Sequence, residues 1–98
     1  MKYELTGFQR DLLYVIAGIG PSSGQEIKHE LESDFDFDIN HGRLYPNLDT
    51  LINNSLVSKE PRDRRTNDYG LTEEGRQYIR TRRSWENKYV DTVVELTQ

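Results

Sequence analysis

The 98-residue sequence predicts a mainly α fold that carries one small β-hairpin and closes on a long helix. Three observations predict it. Thr6 and Ser23 are each followed three residues later by Gln9 or Glu26, the capping-box signature of a helix start. Two short strand-like runs, Leu56 to Glu60 and Asp68 to Leu71, flank a stretch of turn formers. Beyond Thr72, Tyr78, Trp85, Tyr89, Val93 and Leu96 form a stripe at spacings of seven, four, four and three.

In the first helix Phe8, Leu12, Val15, Ile16 and Ile19 recur at helical spacing, and Gly18, Gly20 and Pro21 end it. The second is short and carries Ile27 and Leu31 inward. Asp34-Phe35-Asp36-Phe37-Asp38-Ile39 alternates strictly, which predicts a short strand with Phe35, Phe37 and Ile39 facing inward. Asn40 can cap a third helix with Leu44, Tyr45, Leu48, Leu51 and Ile52 on one face. Proline lacks the helical donor and crowds the preceding turn, so Pro46 requires that helix to begin close before it, as late as Gly42. Pro61 to Asn67 supplies the hairpin tip with three Arg. Thr72 caps the last helix, with Glu73 and Glu74 where the helix dipole favours acids. At 1.5 Å per residue that helix is about 30 Å long.

The order is three helices, a hairpin and a long helix, with one strand before the third helix. It is the order of a winged helix-turn-helix with an added C-terminal helix. Residues 1–72 read as the winged helix-turn-helix and 73–98 as a dimerisation helix, within one compact domain. Apolar residues make up 34% of the chain and charged ones 31%, so a partner surface helps to complete the core.

Composition excludes several classes of function. Without Cys there is no disulfide framework, thiolate nucleophile or Cys-ligated zinc. Leu12 to Ile19, the longest mostly apolar run, is far short of the roughly 20 residues that span a bilayer. The N-terminus lacks a signal-peptide core, and the expected location is the cytoplasm. Asp34-x-Asp36-x-Asp38 begins like a calcium loop, but Ile39 stands where Gly is needed and Tyr45 where the bidentate acid is needed. His29 and His41 have no supporting ligands, and no nucleophile elbow, P-loop or dinucleotide motif occurs. No catalytic residue, metal or cofactor is expected.

The net charge is −4, but the charges lie in blocks. Six acids stand between Glu26 and Asp38 against Lys28 alone, whereas Lys59 to Arg83 holds eight bases, seven of them Arg, against five acids. Such separation marks a molecule with a working face, and the basic block is the expected contact surface. Nine Arg to four Lys on an acidic, Cys-free, Asp-rich chain also points to a salt-loving source.

Leu44-Tyr45-Pro46-Asn47-Leu48-Asp49-Thr50-Leu51, closing with Leu56-Val57, resembles the third-helix signature of PadR-type winged-helix transcriptional regulators. Arg64-Arg65-Thr66-Asn67-Asp68-Tyr69-Gly70-Leu71-Thr72-Glu73-Glu74-Gly75 is similar to that family's wing and the helix start that follows it. Leu5 to Asp11 and Asn40 to Pro46 resemble the haloarchaeal members in particular. Two positions depart from the pattern. Gln25 stands where many members carry Tyr, and Ser55 where Gly usually precedes the Leu-Val pair. The single C-terminal helix resembles the short subgroup, which lacks a large effector domain.

On the third helix, Arg43, Asn47, Thr50 and Asn54 are read as lying opposite the apolar face. Arg can bind guanine bidentately and Asn adenine, so this row suits base reading, with Asn40 and His41 at the helix mouth. In the wing, Arg62, Arg64, Arg65, Thr66 and Asn67 suit phosphates or a narrow minor groove. Ser22, Ser23 and Gln25 open the second helix, whose N–H groups can hold a phosphate, although capping alone explains the serines equally well. Trp85, Tyr89, Val93 and Leu96 form the expected dimer interface, with Arg82 placed to bridge across it; packing onto the first helix of the same chain is the alternative.

The expected function is a homodimeric, sequence-specific regulator of transcription. It would bind double-stranded DNA at a near-palindromic site, and family resemblance favours repression. The alternative is a winged-helix module that binds protein and not DNA. A small effector stays open, and no membrane partner is expected.

Overall fold

The computed structural model describes residues 3–97, with side chains through Val93. The order is α1 (Gly7–Ile19), α2 (Gly24–Phe35), α3 (His41–Asn53), β1 (Val57–Pro61), β2 (Asn67–Leu71) and α4 (Glu73–Thr97). The strands pair antiparallel from Val57 with Leu71 to Pro61 with Asn67. The fold is a winged helix whose last helix runs on for 25 residues.

Both expected capping boxes form. Thr6 Oγ1 accepts the Gln9 N–H while the Gln9 side chain accepts the Thr6 N–H, and Ser23 and Glu26 repeat the exchange. Asn40 caps α3 by accepting the Arg43 N–H at 2.8 Å. The helix starts at His41, one residue before the latest start that Pro46 allowed, and places that proline in its second turn. One core unites Leu12, Leu13 and Ile16 of α1, Ile27 and Leu31 of α2 and Leu44, Leu48 and Leu51 of α3. Leu5, Ile39, Leu56, Val57, Tyr69 and Tyr78 complete it, so the first turns of α4 belong to the head.

The strand expected at Asp34 to Ile39 does not form. Phe35 ends α2, Asp36 takes a left-handed conformation (φ 54°) at its C-cap, and the chain turns away. The Ile39 N–H is donated to the Glu32 carboxylate at 2.8 Å, not to a neighbouring strand. Of the three residues expected inward only Ile39 is buried, and the Phe35 and Phe37 rings are exposed, edge to face with each other.

An unforeseen link closes the hairpin onto the helices. Ser22 and Tyr69 exchange both main-chain hydrogen bonds, at 3.1 and 2.8 Å. Gly75 explains the glycine after the wing, because a Cβ there would strike the Leu56 carbonyl and the Leu71 side chain. At the end of α3, Leu56 N–H bonds to Leu51 O and Ser55 N–H to Ile52 O. That is a Schellman ending with Ser55 in the left-handed position, at φ 63°.

Candidate nucleic-acid interface

The N-terminus of α2, Tyr45 of α3 and the tip half of the hairpin line a crevice of about 510 Å³. Gln25, Tyr45, Arg65, Thr66, Asn67 and Tyr69 line much of it. Gln25 Nε2 stands 3.2 Å from His41 Nε2 and 3.5 Å from the Tyr45 hydroxyl, linking α2 to α3 across the crevice. Tyr45 can lie this close because Gly24 opposes it, where a Cβ would sit 2.6 Å from the hydroxyl oxygen.

Not all of the expected base-reading row faces solvent. Arg43 is exposed, with its guanidinium 3.9 Å from the centre of the Phe8 ring and 5.8 Å from that of Phe37. Asn47 is half-buried and its amide is committed, donating to Arg43 O at 2.6 Å and accepting from Gln9 Nε2 at 3.0 Å. It ties α1 to α3. Thr50 donates its hydroxyl to Pro46 O at 3.1 Å, and Asn40 spends its side-chain oxygen on the cap. Asn54 is half-buried at the C-cap. The exposed crest of α3 is instead His41, Gly42, Arg43, Pro46, Asp49 and Asn53. Sequence reasoning missed Asp49, whose carboxylate type accepts from the cytosine amino group. It also missed Tyr45, whose half-apolar place in the helix pattern hid a hydroxyl that reaches the crevice.

The helix-start serines are not open donors. Ser22 and Ser23 are buried. Ser22 gives its N–H to Tyr69 O and its hydroxyl to Gly20 O, and Ser23 gives its N–H to Glu26. Gln25 alone of that trio is exposed.

At the wing tip, Asp63 builds the turn by accepting the Arg65 and Thr66 N–H groups, both at 2.9 Å, which holds its carboxyl below the usual carboxylate range. Arg64 and Arg65 are exposed, and among the described residues neither has an ion-pair partner. Arg62 is different. Its guanidinium donates to Glu26 Oε1 at 2.5 Å and to Asp68 Oδ1 at 2.8 Å through Nε. The same Glu26 carboxylate accepts the Ser23 N–H, and these bonds, the Ser23 N–H first, hold its pKa at about 2. A carboxyl depressed in the folded state stabilises fully above its ordinary value of 4.5, and that contribution is lost as pH falls towards 2.

Of the remaining bases of the block, Lys59 is exposed on β1 and the others lie on α4. There Arg76 and Arg80 pair with Glu73, and Arg82 with Glu86. Beyond them the Trp85 and Tyr89 rings pack with centres 5.4 Å apart and planes tilted by 60°, and Trp85, Tyr89, Val90 and Val93 are all exposed. Tyr78, counted in the same stripe by spacing, is in the core, and the Leu96 side chain lies outside the described residues. No helix among the described residues is long and apolar enough to cross a membrane, and none of their side chains cluster as a metal site.

Residues 12–81 match the model of the transcriptional regulator PadR-like family. The chain belongs to that family. It is a DNA-binding transcriptional regulator and not an enzyme. RosR from H. salinarum is similar over 97% of this chain and 94% of its own, at 39% identity and a TM-score of 0.82. The hsRosR-S1 complex is similar over 88% of this chain and 77% of its own, at 46% identity and a TM-score of 0.82. F93 from STIV shares the winged-helix fold at 24% identity and a TM-score of 0.72, over 89% of this PadR-like chain and 96% of its own. No curated protein sequence matches the chain.

Proposed function

We propose that this PadR-like protein is a homodimeric, sequence-specific repressor acting in the cytoplasm on a near-palindromic site. The observation that carries this reading is the exposed N-terminal half of α3, with His41, Arg43 and Pro46 on its crest, beside a wing tip bearing the unpaired Arg64 and Arg65. Each α3 enters a major groove, and two such helices about one helical turn apart read the half-sites. Arg43 has the fork that grips a guanine edge, His41 and Gln25 meet the base or backbone at the groove mouth, and Arg64 and Arg65 neutralise phosphates.

The exposed Trp85, Tyr89 and Val93 side chains form the surface that joins two copies. F93, which is described as a winged-helix DNA-binding protein, supports the DNA partner. The likeness to RosR and the Arg-rich, acidic composition support a salt-loving host. Family resemblance favours repression, in which the bound dimer blocks polymerase or basal factors.

Gel retardation with fragments of the host genome tests the reading. Enriched fragments are expected to share an inverted repeat. Retardation of no fragment at any salt concentration would sink it and favour a protein-binding winged helix.

A further inference from the structure

We infer that Glu26, Arg62 and Asp68 form a brace that fixes the hairpin against the α2 N-terminus, making Arg62 a positioning residue for the wing and not a phosphate contact. The inference rests on the DNA-binding reading for its consequence, but its geometry stands in the free protein.

The hairpin has only two strands, and such a ribbon has marginal stability by itself. Among the described residues, the main-chain bridge that ties it to the segment before α2 is the pair Ser22 and Tyr69, and Val57 and Tyr69 anchor its base in the core, so these attachments lie below the tip. Arg62 supplies a second link beside the tip. Its Nη2 lies 2.5 Å from Glu26 Oε1 on α2 and 2.6 Å from Asp68 Oδ1 on β2. Glu26 is itself held at the helix start, since its carboxylate accepts the Ser23 N–H at 2.8 Å and its own N–H is donated to Ser23 Oγ at 3.1 Å. The brace therefore connects the hairpin to a fixed point of the helix pair, across the crevice that Gln25 and Tyr45 line.

Charge gives the same assignment. One guanidinium against two carboxylates leaves a local excess of one negative charge, and a DNA phosphate is repelled there. Arg64 and Arg65 lack such partners and remain available. The brace also suits strong salt. Its partners are in direct contact, within the roughly 3 Å over which charges still sense each other at 1 M.

Glu26→Gln, Asp68→Asn and Arg62→Gln test the brace in the full-length protein by two readouts. Hydrogen exchange of the amides of residues 62–67 is measured without DNA, and affinity for a retarded fragment is measured across a salt series. All three variants are expected to speed exchange at the tip. Each should weaken binding by about twofold to fivefold, the range of an exposed ion pair, with the salt slope unchanged. Asp68→Asn lies outside the α2 cap, so agreement between it and Glu26→Gln separates the brace from simple fraying of α2. Unchanged exchange in Glu26→Gln and Asp68→Asn would overturn the inference. So would a slope that falls by about one per wing in Arg62→Gln alone, the mark of a phosphate contact. If the wild-type protein retards no DNA, the proposed function fails while the exchange measurement still decides the brace.

Discussion

In the proposed function base recognition turns on Arg43, and its surroundings in the free protein bear on that role. A free arginine side chain loses about 2 kcal/mol of rotamer entropy when it is fixed. With its guanidinium 3.9 Å from the Phe8 ring centre, part of that ordering has already occurred in the free protein. Arg43→Ala is expected to weaken a specific site by about 1–3 kcal/mol while leaving random DNA nearly unaffected. Titration of both DNAs checks this, and equal losses on the two would remove Arg43 from base reading. Asn47 shows what sequence pattern cannot resolve at this scale. Leu44, Leu48 and Leu51 centre the buried face, and at 100° per residue Asn47 falls on its flank and not opposite it. Which flank is covered depends on α1, whose Gln9 is 38 residues away in sequence and meets Asn47 at 3.0 Å. Arg62 and Glu26, 36 residues apart, were equally illegible as a pair.

Capping boxes, the hairpin and the helical stripes were legible because each is written within one turn or one period of its own element. The strand expected at Asp34 to Ile39 was not, because alternation says nothing about whether a partner strand is within reach. There the decisive group was the Glu32 carboxylate, which took the Ile39 N–H and let α2 run to Phe35. The wing's attachment at Ser22 was also invisible, since two residues carry no periodicity. At Ser55, by contrast, the departure from the family pattern has a physical meaning. The Schellman ending needs a left-handed residue, and a Cβ in that conformation costs about 1–2 kcal/mol. Ser55→Gly relieves this strain but gives the unfolded chain more freedom, worth about 0.4–1 kcal/mol in the other direction. A net gain of about 0.5–1 kcal/mol is expected, visible in calorimetry as a rise of a few degrees in Tm. A fall in Tm would mean that Ser55 contributes a contact that outweighs its strain. The wing offers a matching test of role: Arg65→Ala is expected to weaken specific and random DNA about equally, as a phosphate contact does.

The long axis of the molecule, 50 Å against 29 and 20 Å, reflects a small head with α4 projecting from it. Tyr89 and Val93 are 62% and 59% exposed on that helix. Such an apolar stripe suits a second copy, so Trp85→Ala is expected to shift light scattering towards the monomer mass. An unchanged dimer would place the interface elsewhere. The same whole-molecule view sets the salt dependence. Of the seven arginines between residues 59 and 83, Arg62, Arg76, Arg80 and Arg82 are already paired with acids of this chain. Among the described residues Lys59, Arg64 and Arg65 are the exposed hairpin cations without an acidic partner, so a dimer presents about six. Counterion release gives a slope of about −0.9 per phosphate neutralised, hence no steeper than about −5 in a plot of log affinity against log salt. A net charge of −4 per chain pulls the same way by repelling DNA beyond the wings. Affinity must then come mostly from base contacts and apolar burial, terms that strong salt does not screen. Binding measured from low to molar potassium chloride checks this directly. A slope approaching −10 would show that many more cations meet the backbone than the wings supply.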